Sequence, residues 1–302
     1  MSTEPAPVLV VGATGRQGGA TARALLAAGI PVRALVRDPL TAQAKAVEQR
    51  GAELITGDLD DRDSVSRAAE GVGAVFSVQM PDMGGRGFDG EVSQAANLID
   101  GARAGGVAQF VHTSVSGAGQ HVSWVKEQWA WLEPYYTAKA EIQDRVREAG
   151  FTHWTLIKPG FFMENFRPDA QFMFPRGVQG GLVSLLKPAT RLSLVAVEDI
   201  GAVAAAAIAA PERFDELELE LAGDLLTMTD IAAILSPALG SELTAPDMTQ
   251  EEATAAGMPA MGLAHAALND HSQPARPEFA RNLGLPTTSF QTWVRNHLTA
   301  NG

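Results

Sequence analysis

Val8-Leu9-Val10-Val11-Gly12-Ala13-Thr14-Gly15-Arg16-Gln17-Gly18-Gly19 is the stretch that decides the fold. A short apolar strand runs directly into regularly spaced glycines, and a helical stretch from Ala20 to Ala28 follows at once. Such a turn presents a helix N-terminus, with free N–H groups and a positive dipole end, to an anion. Gly12 lets the chain turn sharply, Gly15 lets the backbone approach a pyrophosphate, and Gly18 lets helix and strand pack closely. Glycines alone also punctuate ordinary turns. Here a strand precedes them, a helix follows, and a second strand comes soon after, so a dinucleotide site is expected.

Outward from this turn, apolar runs and helical patterns alternate through the first 160 residues. Strands are expected at Val8–Val11, Val32–Val36, Glu53–Thr56, Ala74–Val78, Phe110–Ser114 and Trp154–Lys158. Helices are expected near Gly18–Ala28, Leu40–Arg50, Arg62–Ala69, Phe88–Ala104 and Pro134–Glu148. Alternation at this period implies right-handed βαβ units and a parallel sheet. The expected class is α/β: a doubly wound parallel-sheet Rossmann domain with a smaller, discontinuous C-terminal lobe closing a cleft. The domain is assigned 1–158 plus about 190–222, and the lobe 159–189 and 223–302. Ligands of such sheets sit beyond the strand C-termini where strand order reverses. That singles out Gly12, Arg37, Asp58, Gln79 and Ser114.

After Pro159 the pattern loosens. Phe161 to Pro188, rich in Phe, Met, Gly and Pro, reads as loops and short elements. Val197–Ala210 reads as a helix opened favourably by Glu198 and Asp199, and Leu217–Leu221 as a late strand. Thr229–Leu239 reads as a helix with Thr229 or Asp230 near its N-cap. The remainder is helical and loop-like, broken by prolines.

Composition narrows the function classes. The 302 residues are 46% hydrophobic, enough to bury a sizeable core, and contain no cysteine, which excludes disulfides and thiolate metal sites. That usage is compatible with a cytoplasmic protein. Met1–Pro7 lacks the charged-then-apolar pattern of a leader, and no uncharged apolar run reaches roughly 18 residues, so no membrane span is expected. The formal charge of −12 repels a phosphate backbone, so no nucleic-acid partner is expected. The local exception is a cluster of Arg16, Arg33 and Arg37 around the glycine loop.

The second strand ends in Leu35-Val36-Arg37-Asp38. An acidic residue there binds the ribose hydroxyls of NAD, whereas an arginine suits the 2′-phosphate of NADP. With Arg37 first past the strand and Arg16 nearby, NADP (NADPH) is the expected cofactor. A one-residue register shift would instead place Asp38 there, and the bland alternative for Arg37 is a solvated strand-end charge. Gly57-Asp58-Leu59 follows the third strand and borders the adenine in this fold, where Asp58 either accepts from the exocyclic amine or caps its own turn.

The helix from Pro134 contains Tyr135-Tyr136-Thr137-Ala138-Lys139. At about 100° per residue, Tyr135, Lys139, Ile142 and Val146 share one stripe. Ile142 and Val146 mark that stripe as core-facing, so Lys139 needs a partner for its ammonium. Tyr136 points elsewhere on this reading. Ser114 ends the fifth strand, where the same cleft opens. Ser114, Tyr135 and Lys139 suit carbonyl reduction. The tyrosine donates a proton, the ammonium lowers a phenol pKa of about 10, the serine orients the carbonyl, and the lysine also holds ribose hydroxyls. The alternative for Tyr135 is a packing aromatic. His112 reads as a buried structural histidine.

These motifs resemble the NmrA-like branch of the atypical short-chain dehydrogenases. The resemblance rests on the glycine stretch, Arg33-Ala34-Leu35-Val36-Arg37-Asp38-Pro39, Gly57-Asp58-Leu59 and Phe110-Val111-His112-Thr113-Ser114. It continues through Lys139-Ala140-Glu141-Ile142, Lys158-Pro159-Gly160-Phe161-Phe162-Met163-Glu164-Asn165 and Val197-Glu198-Asp199-Ile200-Gly201. It implies a Rossmann domain, a small α/β lobe on the substrate side, and NADP binding. The cofactor set is then Gly12, Thr14, Gly15, Arg16, Gln17, Gly18, Arg37, Asp58, Leu59, Gln79, Lys139, Pro159 and Phe162. The family includes reductases of quinones and other small molecules, and also regulators that bind nucleotide and a protein partner with little or no turnover. Many members keep the lysine and lack the tyrosine, so Tyr135 is a departure that favours chemistry.

Phe161, Phe162, Met163, Phe166, Phe172, Met173 and Phe174, with Trp124, Trp129 and Trp131, concentrate apolar area on the expected substrate side. They fit a flat hydrophobic substrate, lobe core, or, for 124–136, a protein-docking surface. The expected function is an NADPH-dependent oxidoreductase of a small apolar acceptor, quinone or aromatic carbonyl in type. The alternative is an NADP(H)-sensing regulator acting through a protein partner. A third reading, an epimerase or dehydratase, lacks any sign of a sugar-nucleotide site. Oligomeric state is not legible in the sequence.

Overall fold

The computed structural model of the chain describes residues 5–123, 125 and 127–298. Trp124 therefore lies outside the described residues. In chain order the elements are β1 (Val8–Val10), α1 (Arg16–Ala27), β2 (Val32–Val36), α2 (Ala42–Glu48), β3 (Glu53–Thr56) and α3 (Arg62–Ala69). There follow β4 (Ala74–Ser77), α4 (Gly87–Ala104), β5 (Gln109–Thr113), α5 (Glu133–Glu148), β6 (His153–Pro159), β7 (Phe161–Phe162) and β8 (Arg191–Val195). The chain continues through α6 (Val197–Ala209), β9 (Leu217–Leu221), β10 (Asp224–Thr227), α7 (Met228–Leu239), α8 (Gln250–Ala255), α9 (Pro277–Asn282) and α10 (Phe290–His297).

Seven strands form one sheet in the order β3-β2-β1-β4-β5-β6-β9. β1 to β6 pair in parallel. The order reverses between β1 and β4, which makes the ends of those strands the switch point of a Rossmann sheet. Leu9, Val11, Leu35, Val75, Phe110 and Leu156 pack with Val65 of α3, Leu98 of α4 and Val146 of α5 on one face. Strand alternation sends Val8 and Val10 to the other face. There α1 and α6 approach so closely that a Cβ on Gly201 would lie 2.5 Å from the Ala20 carbonyl carbon. Burial of these strands on both faces explains their near-continuous apolar runs.

The chain divides into two compact units. The first comprises residues 1–125, 133–158 and 200–219, and the second 126–132, 159–199 and 220–302. Within the second unit, β10, β8 and β7 form a small sheet. Its core gathers Phe166, Phe174, Leu194, Ile231, Phe290 and Trp293. The buried Glu164 carboxylate accepts from the Val197 N–H at 3.1 Å and from Trp293 Nε1 at 3.0 Å. Burial nevertheless pushes its pKa up.

Short polar residues start several of the helices. Thr41 caps α2, Asp61 caps α3 and Ser289 caps α10. The N-cap expected at Thr229 or Asp230 falls instead at Thr227. As the last residue of β10, Thr227 has extended backbone, and Asp230 three residues on closes a capping box with it. No helix among the described residues is long and apolar enough to cross a membrane.

Candidate functional site

The glycine turn is built for close approach. Gly12 holds φ +67°, a left-handed conformation that its lack of a Cβ permits. A Cβ on Gly18 would lie 2.3 Å from the Gly12 oxygen and 2.4 Å from the Val11 oxygen, so only glycine lets α1 sit this near β1. Gly15 is the N-cap of α1. Unlike the caps of α2, α3 and α7, it offers no side-chain acceptor, and the first turn of α1 holds no acidic residue. The first N–H groups and the positive end of the dipole are thus left for an external anion. A Cβ on Gly15 would meet only the Gly12 oxygen, at 3.3 Å, and otherwise open space. These features fit the diphosphate of a dinucleotide. Gln17 is held behind the turn, its Oε1 accepting from Thr113 Oγ1 at 2.9 Å.

At the end of β2, Arg37 is the first residue past the strand and is exposed. The Asp38 carboxylate accepts from the Leu40 N–H at 2.8 Å, and its carbonyl accepts from the Thr41 hydroxyl at 3.2 Å. Asp38 therefore serves its own turn, and the register shift does not arise. Among the described residues neither Arg16 nor Arg37 makes a salt bridge. The expected third member of this cluster is a correction. Arg33 pairs with Glu53, its neighbour in register on β3, at 3.0 Å, and donates to the Ala68 and Glu70 carbonyls. Its Nε and Nη1 groups join β2 to β3 and to the end of α3. Asp58 Oδ1 accepts from the Asp60 N–H at 3.0 Å, which is the capped turn. Its neighbour Leu59 is half-buried and offers its carbonyl to Asn97 at 2.8 Å.

The proposed catalytic side chains come together only in part. Lys139 is buried, and its ammonium donates to the Glu91 carboxylate and to the Gln79 carbonyl, the latter at 3.4 Å. It lies 5.8 Å from the centre of the Tyr135 ring. Ser114, also buried, accepts from Gln143 Nε2 at 2.7 Å. Among the described residues no hydrogen bond joins Ser114 to Tyr135 or the Tyr135 hydroxyl to Lys139. The expected lowering of the phenol pKa is a second correction. Burial, Tyr136 and Glu91 push the Tyr135 hydroxyl above its ordinary value. The ammonium faces a carboxylate, so its charge does not favour the phenolate. Tyr136, read as pointing away, is the more buried tyrosine; it stacks on His121 at 5.7 Å and meets Tyr135 edge-on at 5.1 Å.

Glu91 is the site residue that sequence reasoning missed. Glu91, Ala95, Leu98 and Ala102 are all buried on one stripe of α4. A lone carboxylate on that apolar stripe is the counterpart of the lone lysine on the stripe of α5, and the pairing of two such exceptions was the available signal.

His112 is buried beside this pair, with Nδ1 3.1 Å from Ser77 Oγ. Burial and the Lys139 charge lower its pKa from 6.5 to about 3, so the ring is neutral and carries no proton to give at neutral pH. Between pH 6.5 and about 3 the unfolded chain binds a proton that the folded chain does not. The stability linked to His112 is therefore complete above pH 6.5 and is lost as pH falls toward about 3. The slope is about 1.4 kcal/mol per pH unit. Denaturant titrations at neutral and mildly acid pH should show this slope reduced in His112→Gln; an equal slope in both proteins would refute it.

The aromatic stretch belongs to the second unit. Phe161, Met163, Phe166, Met173 and Phe174 are buried in its core. Phe162 and Phe172 are only half-buried. His265 meets Phe161 and Phe172 edge-on, with ring centres 5.2 and 5.3 Å away. Burial lowers its pKa to about 4, so it too is neutral. Trp129 Nε1 donates to Asp270 at 3.0 Å, and Trp131 is 53% exposed. Pro159 and Phe162, expected at the cofactor, fall in the second unit as well. Among the described residues no group of acidic or histidine side chains is placed to hold a metal ion.

A family model described as the NmrA-like family matches residues 5–266. The NAD(P)H azoreductase of Xenophilus azovorans is 30% identical over 98% of this chain and 99% of its own length. The (4-alkanoyl-5-oxo-2,5-dihydrofuran-3-yl)methyl phosphate reductase of Streptomyces griseus is 28% identical over 97% of this chain and 98% of its own. Among solved structures, the triphenylmethane reductase of Citrobacter sp., complexed with NADP(H), superposes with a TM-score of 0.79 at 19% identity. The match covers 96% of this chain and all of that one, and shows the shared fold.

Proposed function

The chain belongs to the NmrA-like family, and from that premise we propose that it is an NADPH-dependent oxidoreductase that reduces a small, flat, apolar acceptor of the quinone, azo or aromatic carbonyl type. The observation that carries the reading is the pair of exposed arginines, Arg16 and Arg37, flanking a helix N-terminus that has neither a side-chain cap nor an acidic first turn. That arrangement fits a diphosphate with an additional 2′-phosphate. The full-length likeness to an NAD(P)H azoreductase supports reduction as the chemistry.

Each residue then has a role. The N–H groups opening α1 hold the diphosphate, and Arg16 and Arg37 hold the 2′-phosphate. Asp58 and Leu59 border the adenine, and Thr14, Gln17 and Gln79 complete the walls. Lys139 holds the nicotinamide ribose hydroxyls. Bound NADPH supplies the hydride. Ser114 orients the acceptor through the hydroxyl that Gln143 fixes.

The test is NADPH oxidation by the purified protein with a panel of quinones, azo dyes and aromatic aldehydes. Turnover with at least one class is expected. Tight NADPH binding with no turnover across the panel would replace this reading with that of an NADP(H)-sensing regulator. Arg37→Ala should weaken NADPH by about tenfold or more, the loss of one charge-assisted hydrogen-bonding group, and leave NADH nearly unaffected. Equal losses for the two cofactors would remove Arg37 from the 2′-phosphate site.

A further inference from the structure

Two helices of the first unit meet in a pair of rungs. α4 carries Phe88 and Glu91 nearly one turn apart, and α5 carries Tyr135 and Lys139 one turn apart. The Phe88 and Tyr135 rings are 5.9 Å apart. Beside them the Lys139 ammonium donates to Glu91 Oε1. Glu91 is 1% exposed, and its other oxygen, Oε2, is buried with no hydrogen-bond partner. A carboxylate in such a place is costly unless a cation holds it. Conversely, the ammonium has its strongest contact turned toward α4.

We propose that Glu91 is the positioning residue of this site: it draws the Lys139 ammonium away from the Tyr135 hydroxyl and offsets its charge. The lysine then serves the ribose hydroxyls of the cofactor, and Tyr135 remains a neutral phenol that walls the site. The cofactor half of this inference rests on the reductase reading above; the electrostatic half does not. The groups that face the phenol are Glu91 from α4, Tyr136 and Lys139 from α5, and through Lys139 the neutral His112 of β5. Lys139 is the one cation in this set, so removing its counter-charge must register at Tyr135.

The chain has two tyrosines, and both are here. Ultraviolet difference titration of phenolate therefore reads this one place, and Tyr136→Phe as background isolates Tyr135. In Glu91→Gln the ionisation midpoint of Tyr135 should fall by about one pH unit or more, because the carboxylate charge that disfavours the phenolate is gone and the ammonium is no longer offset. Adding Lys139→Met should raise the midpoint again. Glu91→Asp keeps the charge on a shorter arm. It should retain the high midpoint and raise KM for NADPH by about tenfold, with kcat within about twofold. If Glu91→Gln does not fold, the Glu91→Asp kinetics decide. An unchanged Tyr135 midpoint in folded Glu91→Gln, or an unchanged KM in Glu91→Asp, overturns the proposal. If no protein, wild type included, oxidises NADPH while the midpoints move as stated, the reductase reading fails and the electrostatic role of Glu91 stands.

Discussion

Lys139→Met should lower kcat/KM for NADPH-dependent reduction by about a hundredfold, the loss expected when a charged hydrogen-bond donor to the cofactor is removed. The same change should destabilise the fold. Lys139 and Glu91 have side-chain exposures of 9% and 0%, so solvent does little to screen the pair. Methionine fills the space of the lysine stem but leaves Glu91 with neither oxygen partnered, because Oε2 has no partner even in the native protein. Breaking one side of a buried ion pair costs about 3–5 kcal/mol. The two consequences separate experimentally. Denaturant midpoints report the orphaned carboxylate, and fluorescence titration with NADPH reports the lost ribose contact. Adding Glu91→Gln to Lys139→Met should return much of the stability and none of the affinity. A Lys139→Met protein with native affinity and turnover would remove the lysine from the site.

Gly18→Ala is the second large effect. The new Cβ would lie 2.3 Å from one backbone oxygen and 2.4 Å from another, inside any real contact distance. Neither atom belongs to a flexible side chain, so α1 must move off β1. The expected cost is about 3 kcal/mol, the upper range for overpacking, together with loss of NADPH binding because the helix N-terminus moves. Gly15→Ala makes the contrast. Its Cβ meets only one oxygen, at 3.3 Å, so the fold should be little affected, while the methyl group stands where a diphosphate approaches. Thermal midpoints and NADPH titrations of the two variants should therefore rank in opposite ways on stability and alike on binding. A stable, binding-competent Gly18→Ala protein would show that the turn is not closely packed.

The sheet was legible because its central strands are buried on both faces and its turns carry distinctive residues. Arg62–Ala69 and Leu217–Leu221 have the bounds read from the pattern, since Asp61 and flanking breaks mark them locally. The small sheet of β7, β8 and β10 was not legible, because a two-residue strand such as Phe161–Phe162 has no periodicity to read. In the site, helical spacing placed Lys139 on a buried stripe, and the strand pattern placed Ser114 at the end of the fifth strand. Neither gave their partners, since Glu91 lies 48 residues from Lys139 and Gln143 lies 29 from Ser114. Arg33 was misread for a related reason. Composition places charge near a loop, but only cross-strand register gives it to Glu53. The phenol pKa was misjudged because the ammonium was identified before the carboxylate that balances it.

The first unit also closes late in the chain. Its last pieces, residues 200–219, follow about forty residues that belong to the second unit. Gln109 on β5 waits for the Ala207 carbonyl of α6, and Thr155 on β6 for the Phe214 carbonyl. During synthesis at roughly 5–20 residues per second, the nascent sheet must therefore persist for seconds with β6 as an unfinished margin. Chains stalled before residue 200 should engage chaperones and aggregate readily, whereas those released beyond residue 221 have every strand of the large sheet outside the ribosome once the exit tunnel is cleared.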